Sequence, residues 1–469
     1  MTVLLVNSPL FYEAGIPDDG DYLPPIGLGL IATYLINHNV PVEMLDALFH
    51  NISVDNLKLK LEQKQPDFIG INIFTTNYEI VRNIVESIDF RTHILIGGLA
   101  TKELYKEILK WKNDNRIDII IGDGELITCD IVKNVVKEEP FIVHENRRVY
   151  KVSPSSMYFI SDISDMGLIR SLFTNEPSIN HFGEIEAHIV TSRGCINNCT
   201  FCAASRSMNK DFPVRERSES SIINEIAQLT REYPNIKSIR ILDDLFLKSK
   251  FSIAKAISIF SQFDLVWRSM AHVSTFNHVS QNDIVALHRS GCKELFIGIE
   301  SGSSRILGAM KKGNDRERII RNLEMLFMAH IEVKGYFIYG FPGETESDMM
   351  KTFDLASELC DLALKYRTKF RTSVFQFRPY HGSEIFSILN QKFDLNRIHM
   401  LPDLFLTNLI GRGQFNFYSG NFSDSCLETI HDYICKTNDL NGSRTYSKQN
   451  QRFRKSDQRK KMQSLRALP

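Results

Sequence analysis

The sequence predicts an α/β chain with two successive units: an N-terminal doubly wound parallel sheet, then an open (β/α)6 partial barrel, followed by a small C-terminal cap. Three observations predict this. Up to about residue 138, short apolar runs alternate with helical patterns of ten or so residues, as in a parallel sheet wrapped on both faces. Over 139–186 the composition is mixed and includes the basic pair Arg147-Arg148, which reads as a linker with one short hairpin-like piece, PFIVHENRRVYKV. From 187 to 385 the strand–helix alternation resumes and gives six strand candidates. Residues 386–440 hold the cap, with an aromatic-rich stretch from Phe415 to Phe422 and a helical pattern at 424–436. Residues 441–469 carry nine Lys/Arg against one Asp and read as a disordered tail.

A length of 469 residues suffices for two or three domains. Hydrophobic and charged contents of 43% and 24% are those of an ordinary globular protein. The 56 basic and 56 acidic side chains cancel, so there is no global electrostatic case for nucleic acid or a membrane surface. MTVLLVNSPLFYEAG lacks a basic n-region, and no apolar run reaches about 18 residues, so neither a signal peptide nor a transmembrane helix is expected. Eight cysteines, three clustered and five scattered, suit a reducing cytoplasm rather than a disulfide framework.

In the first unit the strands are expected at 2–6, Val42–Leu45, Phe68–Ile73, His93–Ile96 and Asp118–Ile121. Helices are expected from Pro25, where proline suits the first turn, and at Val54–Lys64, Asn77–Ile88 and Lys102–Lys112. Ligands of such sheets sit beyond the carboxyl ends of the strands. At those ends stand Thr75, Thr76 and Asn77, then Gly97 and Gly98, then Gly122, Asp123, Gly124 and Glu125. Glycine there lets a ligand approach the backbone, and ordinary turn chemistry would use the same residues.

In the second unit the strand candidates are Ala187–Val190, Ser238–Leu242, Val266–Met270, Glu294–Ile299, Val333–Ile338 and Thr372–Phe377. After the first comes TSRGCINNCTFCAAS, with Cys195, Cys199 and Cys202 inside eight residues and no fourth cysteine nearby. A structural zinc site wants four protein ligands, and a ferredoxin-type cluster wants four thiolates. Three close thiolates fit a cubane held at three irons with the fourth open to a small ligand; a zinc knuckle or incidental core cysteines remain the alternatives. Asp243 and Asp244 end the second strand and suit a divalent metal, acid–base work or a helix cap. Glu300, flanked by Gly298 and Ser301, ends the fourth strand, where a carboxylate suits ribose hydroxyls. Gly340, Gly343 and Glu344 follow the fifth strand in GFPGET. His272, after the third strand, reads as a structural histidine or one facing the active site.

The CxxxCxxC spacing, with GxESG and GxPGET in register behind it, resembles the radical SAM superfamily. LPPIGLG, IGINIFTTN, ILIGGLAT and IDIIIGDGE resemble the cobalamin (B12)-binding, Rossmann-like domain that precedes many of its barrels. The resemblance implies a [4Fe-4S] cluster on the three cysteines, with S-adenosylmethionine (SAM) chelated at the open iron. It implies SAM contacts at Asp243, Asp244, Gly298, Glu300, Ser301, Gly340, Gly343 and Glu344. It implies cobalamin near Thr75, Thr76, Asn77, Gly97, Gly98, Gly122, Gly124 and Glu125. The DxHxxG motif that supplies a lower axial histidine is absent, and Leu99 stands where relatives often have histidine. Cobalamin is thus expected base-off, without a protein nitrogen ligand.

The implied activity is methyl transfer to an unactivated carbon or to phosphorus, on a small-molecule or peptide substrate, with flavodoxin or ferredoxin as reductant. A radical rearrangement or cyclisation on the same scaffold is the nearest alternative, and a non-catalytic corrinoid or iron–sulfur module is the alternative of another class. A methylthiotransferase would need three cysteines in the first unit, which has only Cys129.

Overall fold

The computed structural model describes residues 1–10, 23–393, 395, 401–402, 417–418 and 420–443. Residues 11–22, part of the aromatic stretch 415–422, much of the cap before it and the tail from 444 lie outside the described residues.

The first sheet contains β1 (Val3–Asn7), β2 (Val42–Asp46), β3 (Phe68–Asn72), β4 (His93–Gly97), β5 (Arg116–Gly122), β6 (Ile142–His144) and β7 (Arg147–Val152). Their order is β2-β1-β3-β4-β5-β7-β6, and every pair is parallel except β6–β7. Alternate residues of a strand point to opposite faces, so one run serves two cores. Leu4, Val6, Ile69, Ile71, Ile94 and Ile96 pack with α2 (Val54–Lys64), α3 (Tyr78–Glu86) and α4 (Thr101–Ile108). Val3, Leu5, Leu95 and Ile120 pack on the other face with α1 (Ile26–Asn37) and α5 (Glu125–Val132). Because β1 lies between β2 and β3, the winding reverses there, and a crevice opens beyond the carboxyl ends.

Residues 139–186 are not a free linker. RRVYKV has Val149 in the core on one face of the first sheet and Tyr150 and Val152 in the core on the other, with Arg148 and Lys151 part-exposed, and it extends that sheet as β7 beside β5. Further on, β8 (Ser178–Ile179) pairs antiparallel with β9 (Ile185–Ile189) at the edge of the second sheet. Local charge composition hid both attachments, because it says nothing of which edge a short strand can join.

The second sheet runs β16-β15-β14-β13-β12-β9-β8, with β12 (Ser238–Ile241), β13 (Val266–His272), β14 (Cys292–Glu300), β15 (Glu332–Tyr339) and β16 (Phe370–Gln376). The six long strands are parallel and in sequential order, a curled half-barrel left open between β16 and β9 among the described residues. On β14, Leu295, Ile297 and Ile299 join the outer core with the helices, and Glu294, Phe296, Gly298 and Glu300 form the other face. On that inner face Arg268 pairs with both Glu186 and Glu294, at 2.8 Å and 3.0 Å. The C-terminal helix (Leu427–Ser443) covers β16 and touches the end of β15, where the Tyr339 hydroxyl and Thr437 hydroxyl meet at 2.7 Å.

Candidate functional site

Between β9 and β12 the chain leaves through β10 (Ser192–Arg193) and returns through β11 (Arg215–Glu216), an antiparallel ribbon of two residue pairs. The cysteine loop lies between them. It is held internally by Arg206 N–H donating to Asn197 O at 2.8 Å and by Asn209 Nδ2 donating to Ala203 O and Ser205 O. It is held from outside by Thr200, whose N–H and Oγ1 donate to Met310 O and Ala309 O at 3.1 Å each. All three cysteines are free thiols. Burial pushes each pKa up, Cys202 to about 12. Among the described residues no three His, Cys, Asp or Glu side chains converge as the ligands of a single metal ion do. A cubane makes no such demand, because each thiolate binds its own iron. Three soft donors on one loop therefore fit three-point attachment of an iron–sulfur cluster.

A buried ion pair stands beside the thiols. Lys312 Nζ donates to Glu300 Oε1 at 2.9 Å, and the ammonium lies 5.9 Å from the Phe201 ring. Burial opposes the Lys312 charge, but Glu300 and the Cys199 side more than offset it and its pKa is raised. Glu300 has φ +68 at a register shift that ends β14, a left-handed backbone uncommon outside glycine. Such bulges re-aim a side chain and recur beside active sites. A Cβ on Gly298 would stand 2.2 Å from Glu300 Oε1 and 2.6 Å from Lys312 Nζ, so glycine is what admits the pair. His272 is in register with Gly298. Its Nδ1 accepts from Ser274 N–H at 3.2 Å, which leaves the proton of the neutral ring on Nε2, buried and without a partner among the described residues. Burial, aided by Lys312, lowers its pKa to about 3, so it is neutral.

Two neighbouring loops are joined. Ser303 Oγ donates to Asp348 Oδ1 at 2.6 Å, Arg305 reaches Gly343 O at 2.8 Å, and Ser301 Oγ meets Thr352 Oγ1 at 2.9 Å. Glu344 Oε2 accepts from Gly340 N–H and Phe341 N–H at 2.6 Å and 3.2 Å and fixes the GFPGET turn. Its Oε1 is buried without a partner among the described residues, and burial raises its pKa to about 8 against those two donors. Ser301 and Glu344 thus hold the backbone of these loops with their side chains.

Asp243 is likewise consumed. Its carboxylate accepts from Thr191 N–H and Thr191 Oγ1 at 2.6 Å each and from Ser192 Oγ at 2.7 Å, which ties β12 to the strand entering the cysteine loop. Neighbouring Asp244 instead faces a cavity that also touches Cys195.

That cavity, of about 1170 Å³, lies between the two units and is lined by both. One wall is Gly97, Gly98, Gly122, Gly124 and Glu125 from the ends of β4 and β5, with Leu23–Ile26 at the start of α1; the other carries Cys195, Asp244, Arg193 and Arg215. Phe74 and Leu99 present exposed hydrocarbon to it. Gly98 has φ +114, and a Cβ there would stand 2.6 Å from Ile73 O. Asn72 lines the wall, and its Oδ1 is buried without a partner among the described residues. A broad apolar hollow with an orphaned polar atom and glycine-edged loops fits a flat macrocycle with polar edges such as a corrin.

Thr75, Thr76 and Asn77 are not among the residues of that wall. Asn77 Nδ2 donates to Ser8 Oγ and Asn72 O, its Oδ1 accepts from Phe74 N–H, and Thr75 Oγ1 accepts from His381 N–H at 3.0 Å. Thr75 and Asn77 shape the loop after β3 from behind. The sequence reading missed Lys312, Lys102, Arg193 and Arg215, and it named Asp123 only as part of a turn. Lys102 Nζ donates to Ala203 O at 3.0 Å and Asn209 Oδ1 at 2.7 Å. For Arg193 the available signal was a cation two residues ahead of the cysteine motif; Lys102, Lys312 and Arg215 lie four or more residues from any glycine or cysteine of the motifs and gave no local signal.

Comparison with known proteins agrees with this layout. The radical SAM superfamily model matches residues 189–356, and the B12 binding domain model matches 18–132. An uncharacterized methyltransferase of Pyrococcus horikoshii is 27% identical over 372 residues, 76% of this chain and 78% of the relative. The cytidylyl-2-hydroxyethylphosphonate methyltransferase of Streptomyces wedmorensis is 23% identical over 397 residues, 71% of this chain and 73% of the relative. Among solved structures, the methyltransferase TsrM from Kitasatospora setae, with tryptophan substrate and a SAM analogue bound, shares the fold at TM-score 0.62 and 16% identity, over 94% of this chain and 89% of that one. The cobalamin-dependent radical enzyme OxsB, with aqua-cobalamin and SAM bound, gives TM-score 0.59 at 16% identity over 90% of this chain; the match spans 64% of the OxsB chain.

Proposed function

Since the chain belongs to the radical SAM superfamily and carries a B12 binding domain ahead of its barrel, we propose that it is a cobalamin-dependent radical SAM methyltransferase acting on an unactivated carbon or phosphorus of a small-molecule or peptide substrate. One observation carries the reading: a single cavity has the corrin-type loops of the first unit on one wall and Cys195 with Asp244 on the other. When bound, the cluster with SAM supplies a carbon-centred radical, and cobalamin supplies a transferable methyl group.

The chain's own part is positioning and exclusion of water. Cys195, Cys199 and Cys202 would hold the cluster. Glu300 and Lys312 set a negative and a positive group side by side next to it, matched to the zwitterionic head of an amino-acid-derived cofactor. Gly298, Gly340 and Gly343 would let the nucleoside approach the backbone, with Asp243, Ser301 and Glu344 fixing the surrounding loops. Gly97, Gly98, Gly122, Gly124 and Glu125 would line the corrin, while Thr75, Thr76 and Asn77 serve the loop behind it. Leu99, exposed on the cavity wall, would offer the corrin hydrocarbon. We assign 1–138 to the corrin unit and 187–385 to the barrel, with flavodoxin or ferredoxin as reductant. Eight free cysteines support a reducing cytoplasm, and no helix among the described residues is long and apolar enough to cross a membrane.

The test is anaerobic purification from cobalamin-fed cells with a count of iron and cobalt, followed by assay of 5′-deoxyadenosine and of the methylated product. Iron and cobalt both retained, with 5′-deoxyadenosine abolished in Cys199→Ala, is the expected result. SAM cleavage at the wild-type rate by Cys199→Ala would remove the cysteine assignment.

A further inference from the structure

We propose that Asp123 is a positioning residue for the cysteine loop: it is the counter-charge that closes the base of that loop, so that the first unit holds the iron-binding end of the second. The proposal rests on the reading of Cys195, Cys199 and Cys202 as cluster ligands.

The ribbon at the base of the loop is two residue pairs long, and one of them sets Arg193 directly opposite Arg215. So short a ribbon has no stability of its own, and like charges directly opposite destabilise a strand pair. The loop therefore contains a repulsion at its base that nothing within the ribbon relieves. Asp123, arriving from the end of β5, relieves it. Its Oδ1 accepts from Arg193 Nη1 at 2.8 Å and from Arg215 Nη2 at 3.0 Å, while its Oδ2 accepts from Arg215 Nη1. Glu125 takes the remaining edge of the Arg193 guanidinium. The Asp123 and Arg215 side chains are 7% and 10% exposed, so solvent screens the bridge weakly.

The bridge is also well placed to act on the loop. Arg193 precedes Cys195 by two residues, with Gly194 at φ +90 between them, so the guanidinium fixes where the first thiol starts. Asp123 is itself seated, between glycines 122 and 124 and within 3.4 Å of Ile160 N–H. Arg215 also donates to Ile160 O and lies over the Phe159 ring at 4.4 Å. Asp123, Glu125, Arg193, Cys195 and Arg215 all line the same cavity, so a group seated there touches both the bridge and the loop it closes.

The test uses the full chain, reconstituted anaerobically with iron and sulfide. Two readouts are taken: the rate of iron loss to a ferrous chelator, and the electron paramagnetic resonance spectrum of the reduced cluster. Asp123→Asn keeps the size of the side chain and leaves the two arginines facing each other. It is expected to lose iron about tenfold faster than wild type and to broaden the spectrum, as removal of one partner of a buried charge pair speeds release. The double variant Asp123→Asn with Arg215→Gln removes one facing cation along with the anion, and is expected to move both readouts back towards wild type. Wild-type iron loss and spectrum in Asp123→Asn would overturn the proposal. So would a double variant as leaky as the single one, since the defect would then be loss of fold and not of charge balance. A wild-type chain that takes up no iron would instead strike down the cluster reading itself.

Discussion

Replacing Lys312 with Met removes a cation while keeping an unbranched side chain one atom shorter, and it probes the ion pair beside the thiols. The Lys312 and Glu300 side chains are 8% and 7% exposed, and their atoms meet at 2.9 Å. With the ammonium gone, Glu300 remains buried on the Gly298 backbone, at a left-handed φ from which it cannot readily swing to water. Breaking a buried pair by deleting one partner destabilises by about 3–5 kcal/mol, because the remaining charge is uncompensated. Deleting both charges, in Lys312→Met with Glu300→Gln, leaves no buried ion, and the double variant is expected to recover the greater part of that loss. The assay is anaerobic urea unfolding of the ligand-free chain followed by tryptophan fluorescence. Only Trp111 and Trp267 are present, both buried, and in a Trp111→Phe background the signal reports β13 of the barrel alone. Refutation would be a Lys312→Met stability within about 1 kcal/mol of wild type, the level of an exposed pair. A double variant less stable than the single would refute it equally.

Two further predictions concern the loops next to that pair. Glu344 holds its proton up to about 8, well above the ordinary 4.5, because burial disfavours the carboxylate. The folded state therefore keeps a proton that the unfolded chain has released. Its contribution is complete below about 4.5 and is lost as pH rises through 8, a span worth roughly 4–5 kcal/mol. Glu344→Gln should gain stability relative to wild type between pH 6 and pH 8.5 in matched urea titrations, and parallel profiles for the two proteins would show the reasoning wrong. Gly302 packs against the second turn of the helix Glu346–Lys365, where an added Cβ would stand 2.1 Å from Lys351 O, a backbone atom. Gly302→Ala is expected to cost about 1–3 kcal/mol and lower Tm by several degrees, and a thermal scan unchanged within about 1 °C would mean that the two loops separate freely.

Much of this architecture was legible in the residues. The alternation that places Leu4 and Val6 on one core and Val3 and Leu5 on the other is local and periodic, and so survives in the sequence. The spacing of Cys195, Cys199 and Cys202 is local too. What was not legible depends on partners far along the chain. Asp243 reads like Asp244 until Thr191 and Ser192 are brought against it, about fifty residues away, and the two carboxylates then have different work. Thr75 and Asn77 sit in the right loop, but bonds to His381 and Ser8 turn their side chains to its support. The strand β7 was hidden because a short run with three apolar side chains shows that it can pair, not which edge it will find.

The cavity has a consequence of another kind. The apolar cores on the two faces of the first sheet and the core around the barrel are separate packed bodies, and the space between them is walled by strand ends and loops belonging to each. Substitutions at exposed positions of those loops, such as Phe74 and Leu99, leave the three interiors packed as they are. Each unit can therefore drift at its own loops, provided that Asp123 and Glu125 still meet Arg193 and Arg215 across the space. A chain built this way can acquire new substrates by recombining two sets of loops, one from each unit, and its variety then multiplies instead of adding.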